Sequence, residues 1–168
     1  MKTIIERLQE GNRRYAVSEK GTLRMKLATE GQHPYAVVVC CSDSRVIPEE
    51  IFGVSIGELF VIRVAGNVLD RHQIGSIEYA AGHLGCKLVV MLGHTGCGAV
   101  GAALEGHADG YVSYIVDDIK KAIGSEKDPN EASRLNVIHG VEILRKELKG
   151  VEIRGAIYDI LTGEVRWL

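Results

Sequence analysis

The sequence predicts an α/β fold: a mostly parallel central sheet with helices on both faces, and a C-terminal hairpin at its edge. Three observations predict it. Tyr35 to Cys40, Phe60 to Ala65 and Leu88 to Leu92 are short, β-branched and apolar runs without alternation, as strands buried on both faces are. Between the second and third runs, Ile74, Ile77, Ala80, Ala81 and Leu84 recur at helical spacing, so strand, helix and strand make a βαβ unit. Near the end, residues 151–160 and 164–167 flank Leu161-Thr162-Gly163, which reads as a hairpin.

Taken in order, residues 3–17 set Ile4, Ile5, Leu8, Tyr15 and Ala16 among Glu, Arg and Gln, a helix with a narrow apolar side. Such a helix lies on a neighbouring surface, either its own domain or another. Leu23 to Glu30 reads as a second short helix closed by Gly31. Pro48 with Glu49 and Glu50 has the composition of a helix first turn. Residues 73–84 form a helix that Gly85 caps. Gly98 to Leu104, Val112 to Ile123 and Asn130 to Leu148 are the remaining helices, the last two separated by the polar segment 124–129.

At 168 residues the chain suits one domain, 1–168, with residues 1–31 as an N-terminal helical arm. Charged residues are 25% of the total and the net charge is −2, which offers no attraction to nucleic acid or to an anionic membrane. The first residues carry charges where a secretory leader needs its apolar centre, and no apolar run approaches membrane-spanning length. A cytoplasmic setting is expected. The four cysteines then stand as reduced thiols, and adjacent Cys40 and Cys41 are poor bridge partners.

Two short segments follow strand-like runs directly: Cys41-Ser42-Asp43-Ser44-Arg45 and His94-Thr95-Gly96-Cys97-Gly98. Loops at the carboxyl ends of parallel strands meet in one crevice, so the two can share a site. Cys41, His94 and Cys97 offer two thiolates and an imidazole, a set suited to Zn²⁺, and three protein ligands leave a tetrahedral position free. Cys40 and Cys41 face opposite sides of a strand. Asp43 and Arg45 alternate with serines, so both charges can leave the loop on one side.

On these residues the chain resembles the β-class carbonic anhydrases, whose zinc is held by the Cys of C-x-D-x-R and by the His and Cys of H-x-x-C. The resemblance runs from the segment Leu8 to Tyr15 to the C-terminal strand region. It selects Cys41 as ligand and leaves Cys40 in the core. It implies one Zn²⁺ per subunit, a zinc lyase (carbonate dehydratase) activity, and hydration of carbon dioxide to bicarbonate and a proton by zinc-bound hydroxide. Asp43, kept ionised by Arg45, would accept the hydroxide's hydrogen. Phe60 and Tyr79 align with pocket-lining aromatics and Gln32 with a substrate-binding amide. Core packing accounts for Phe60 and Tyr79 equally well, and Gln32 also suits a solvated turn. Gln32 places the chain nearest the plant-type branch, in which Asp43 stays on Arg45 and off the metal.

The same resemblance implies an N-terminal helix packed on a partner subunit, with Gln32 and Tyr79 supplied across the interface of a homodimer that can extend to a tetramer. His83 aligns with a proposed proton shuttle, although a surface histidine complementing a helix end fits its position too. Relatives on this fold hydrolyse carbonyl sulfide or carbon disulfide, which is the nearest enzymatic rival. A structural zinc or a non-catalytic sensor is a rival of another class, but neither loop offers a fourth Cys or His and such a site has no use for Asp43 with Arg45. A redox couple lacks its C-x-x-C pattern.

Overall fold

The computed structural model describes residues 2–168. The chain forms two compact units that divide between His33 and Pro34. In the first, α1 (Ile4–Ala16) opens on a capping box: Thr3 Oγ1 accepts from the Glu6 N–H, and the Glu6 carboxylate accepts from the Thr3 N–H at 2.7 Å. α2 (Lys20–Glu30) ends at Gly31, whose φ of +83° is the left-handed value that stops helices. Neither helix buries a residue, and Ile4, Ile5 and Leu8 stay exposed along α1.

The second unit is built on a five-stranded sheet of β1 (Ala36–Cys40), β2 (Leu59–Arg63), β3 (Leu88–His94), β4 (Glu152–Tyr158) and β5 (Val165–Trp167). The strand order is β2-β1-β3-β4-β5; the first four are parallel and β5 is antiparallel on β4. The helices are α3 (Pro48–Ile51), α4 (Arg71–Gly82), α5 (Gly98–Glu105), α6 (Val112–Ile123) and α7 (Pro129–Glu147). On one sheet face Val37, Val39, Val89, Met91, Ile153 and Ile157 pack with Ile77 and Ala80 of α4 and with Val137, Val141 and Leu144 of α7. On the other, Val38, Cys40, Val90 and Leu92 pack with Val46 and with Ile51 of α3. No helix among the described residues is long and apolar enough to cross a membrane.

The order has a functional consequence. The chain leaves β1 to pair on one side with β2 and returns on the other side with β3, so strand order reverses between β1 and β3. Connections departing to opposite sides leave a crevice beyond the carboxyl ends of those two strands. Register sets its depth: Cys40 lies opposite both Arg63 and Leu92, which brings Cys41 level with the Gly93-His94 end of β3.

Several boundaries differ from the sequence reading for local reasons. β3 continues through Gly93 and His94, because both keep paired with β4, at Ile157 and Tyr158. β2 stops at Arg63, and Ala65–Asn67 turns in a 3₁₀ conformation. α4 starts two residues earlier than periodicity indicates, since Asp70 and Gln73 form a second capping box. It ends at Gly82 rather than Leu84, with His83 as the C-cap. α2 begins at Lys20, three residues before its first apolar position.

Gly93 shows how tightly the sheet meets α7. A Cβ there would lie 2.5 Å from Val137 Cγ2 and 2.9 Å from Ile157 Cδ1, both branch ends of buried side chains. Gly93→Ala is therefore expected to lower unfolding free energy by about 1–3 kcal/mol, read as a fall in the urea midpoint at unchanged slope.

Candidate metal centre

Cys41 leaves β1 on the side away from Cys40. Cys40 is fully buried in the sheet core, where desolvation pushes its thiol up to about 12. It stays a neutral packing residue. Cys41 instead meets Cys97, the N-cap residue of α5, with the two Sγ atoms 4.0 Å apart. His94 completes the group: its ligand nitrogen and the two sulfurs all lie within 4.8 Å of one another, and all three residues are buried.

His94 is wholly inaccessible, and its two ring nitrogens have different environments. Nδ1 donates to the Thr95 carbonyl at 2.9 Å, which fixes the tautomer and leaves the Nε2 lone pair free. Nε2 has no hydrogen-bond partner among the described residues, although it is buried. Such an orphan costs about 1–3 kcal/mol, and a cation between it and the two sulfurs would remove that cost. The contact between the two sulfurs lowers the Cys41 pKa and, together with burial, raises that of Cys97. Cys41 also accepts from the backbone N–H groups of Gly66 at 3.3 Å and Asp43 at 3.4 Å. The donor set, the orphan nitrogen and the burial fit a borderline-soft dication.

Beside this triangle, Arg45 grips Asp43 with a fork. Nε donates to Oδ1 at 2.9 Å and Nη2 to Oδ2 at 2.7 Å, while the Arg45 backbone N–H adds a third bond to Oδ1 at 3.0 Å. These bonds hold the Asp43 carboxyl well below the usual carboxylate range, the guanidinium contributing most. Arg45 Nη2 also reaches the Gly96 carbonyl at 3.3 Å, tying the first motif's loop to the second's.

Arg63, which the sequence reading did not single out, stabilises the same loop from behind. From the end of β2 its Nε donates to the Cys41 carbonyl at 3.2 Å and its Nη2 to the Asp43 carbonyl at 2.6 Å. A cation ending an apolar strand run was the only signal in the sequence. On the other flank, Thr95 accepts from the Ile160 N–H at 3.1 Å and donates its own N–H to the Tyr158 carbonyl, securing the His94 loop to the end of β4.

The fold thus brings together Cys41, His94, Cys97, Asp43 and Arg45. The remaining predicted site residues lie elsewhere. Phe60 on β2 packs against the α4 side of the sheet, with Tyr79 at 6.3 Å between ring centroids, and Tyr79 lies 5.3 Å from His83. Tyr79 and His83 are exposed, and no hydrogen bond or aromatic contact joins this series to the Cys–His–Cys group among the described residues. Gln32 belongs to the first unit, exposed just after α2.

Comparison with known proteins places this geometry in context. Residues 36–165 match the family model described as carbonic anhydrase. The chain is 43% identical over 126 residues to carbonic anhydrase 2 of Mycobacterium tuberculosis, covering 70% of this chain and 60% of that protein. This chain therefore spans about 60% of the length of that relative. It is 45% identical over 178 residues to a carbonic anhydrase of Pseudomonas aeruginosa, covering 90% and 80% of the two chains. Among solved structures, a tetrameric β-carbonic anhydrase of Sordaria macrospora superimposes with a TM-score of 0.85 at 26% identity, over 99% of this chain and 98% of the other.

Arg63 supplies a test of the loop's anchoring. Charge-assisted bonds of this type contribute about 1.5 kcal/mol or more, a factor of about 10 in a local opening equilibrium. Arg63→Ala is expected to speed amide exchange across Ser42 to Arg45 about tenfold while far-UV circular dichroism is unchanged, measured by hydrogen–deuterium exchange of a peptide spanning that loop.

Proposed function

The chain belongs to the β-class carbonic anhydrase family, and from that premise we propose that it is a zinc lyase catalysing reversible hydration of carbon dioxide to bicarbonate and a proton. One observation carries the proposal: the buried Cys41–His94–Cys97 donor triangle, with its orphan Nε2, lies next to an arginine-locked aspartate. A structural zinc explains the triangle and leaves the Asp43–Arg45 pair without a purpose.

In this reading Cys41 Sγ, His94 Nε2 and Cys97 Sγ hold one Zn²⁺. A zinc with three protein ligands and one free position acidifies water and so supplies a hydroxide nucleophile near neutral pH. The protein's own residues do the rest. Asp43, ionised because Arg45 occupies both carboxylate oxygens, can only accept a proton or a hydrogen bond. It therefore rejects any nucleophile lacking a hydrogen to donate, and it orients one that has such a hydrogen. Arg45 fixes that orientation, and its bond to Gly96 keeps the acceptor aligned with the loop that carries Cys97.

Phe60 and Tyr79 would line an apolar path for carbon dioxide, and the Gln32 amide would donate to an oxygen of substrate or product. Residues 1–31 would act as an arm on a second copy, so that Gln32 and Tyr79 come from the partner in a homodimer, or in a tetramer. The name of the Sordaria relative, which describes a tetramer, supports assembly of that kind. His83, exposed beside Tyr79, would pass the proton to buffer. The enzyme would work in the cytoplasm, in keeping with its four free cysteines.

Removal of the metal with a chelator is expected to abolish carbon dioxide hydration in stopped flow, and added Zn²⁺ to restore it. Activity that survives chelation would sink the proposal, and hydrogen sulfide release from carbonyl sulfide faster than hydration would replace its substrate. Asp43→Ala is expected to retain zinc, measured by atomic emission, and to lose about 10²-fold or more in turnover. His83→Ala is expected to slow turnover in weak buffer only, with rescue by added imidazole; unchanged rates in weak buffer would remove its role.

A further inference from the structure

Behind the metal centre, the 3₁₀ turn Ala65–Asn67 makes two consecutive left-handed residues, Gly66 at φ +66° and Asn67 at φ +45°. Gly66 is held from three sides. Its N–H points at Cys41 Sγ, 3.3 Å away. Its carbonyl accepts from Asn136 Nδ2 at 2.8 Å, across 70 residues of sequence. Its Cα faces Ile119 and Ala99, and a Cβ would meet their side chains at 2.7 and 3.1 Å.

Asn136 is itself unexpected. It is 6% exposed on α7, among Ala132, Val137, Val141 and Leu144, where an apolar residue would pack without the cost of a buried amide. The amide's donor group has the Gly66 carbonyl as its partner, and that carbonyl belongs to the residue whose N–H serves the sulfur.

We propose that Asn136 is a positioning residue for the Cys41 ligand: by anchoring the Gly66 carbonyl it keeps the Gly66 N–H on Cys41 Sγ. An N–H donated to a thiolate draws electron density from the sulfur, so less of it passes to a bound cation. Two thiolates in one donor set oppose the acidification of water, and this bond restrains one of them. The inference rests on the metal reading above and extends it beyond the residues that touch the ion.

The test uses the full chain loaded with cobalt(II) and, separately, with zinc. Wild type is compared with Asn136→Ala, with Asn136→Leu, which roughly keeps the volume but loses the amide donor, and with Ser133→Ala. Ser133 is a buried polar residue on the same helix whose hydroxyl donates to the Pro129 carbonyl. Both Asn136 variants are expected to move the sulfur-to-cobalt charge-transfer band to lower energy. With Cys41 no longer held in place by the Gly66 N–H, they are also expected to release zinc to a chromogenic chelator about tenfold faster or more, the lost orientation outweighing the stronger donation from sulfur. Ser133→Ala is expected to lower the thermal midpoint and leave band and release rate at wild-type values. If Asn136→Ala does not fold, Asn136→Leu carries the comparison. Wild-type band and release rate in the Asn136 variants, with only the thermal midpoint lowered, would overturn the positioning role while leaving the metal reading intact. A wild-type chain that takes up neither metal would overturn both.

Discussion

The second unit depends on an imidazole nitrogen that the fold buries and leaves unpaired. His94 Nε2 lies within 4.8 Å of two sulfurs in a crevice closed to solvent, and among the described residues no donor reaches it. Every other feature of the centre makes sense as a means of tolerating that nitrogen. Thr95 fixes the tautomer, β4 secures the loop through Tyr158 and Ile160, and the Cys97 sulfur is delivered by the start of α5. A side chain that is costly when empty and stable when coordinated is how a fold stores affinity for a cation.

Around the donor triangle runs a second layer of contacts to backbone carbonyls. Arg63 holds the Cys41 and Asp43 carbonyls, Arg45 reaches the Gly96 carbonyl, and Asn136 holds that of Gly66. Carbonyls are everywhere in a chain, so such anchors carry no motif. They fix the path of the loops that carry Cys41 and Asp43, and small displacements of such groups matter where several must act together. The two arginines serve different ends: Arg45 satisfies a carboxylate and sets its charge, while Arg63 satisfies peptide oxygens and sets the loop's path.

The chemical division between adjacent cysteines shows how far environment outweighs residue type. Cys40 and Cys41 are neighbours with the same intrinsic acidity. Cys40 faces the sheet core, where burial raises its pKa, and Cys41 faces two backbone N–H groups and a second thiol, which lower it. Strand alternation alone places one thiol in the sheet core and the other in the Cys–His–Cys group.

Much of this was legible in the sequence. Unbroken apolar runs announced parallel strands, periodicity announced the helices, and C-x-D-x-R with H-x-x-C set the five central residues, because side chains that share one ion or one ion pair must be spaced to reach it. The capping boxes at Thr3 and Asp70 were also written locally, and reading them would have set the starts of α1 and α4 correctly. What sequence could not supply was anything that joins distant backbone. That Arg63 meets Cys41 and Asp43, that Asn136 meets Gly66, and that β3 extends to His94 all follow from strand order and register, which are properties of the assembled sheet. The chain by itself determined which groups can bind and ionise; only the tertiary structure decided how firmly they are held, since peptide carbonyls are chemically alike until packing chooses among them.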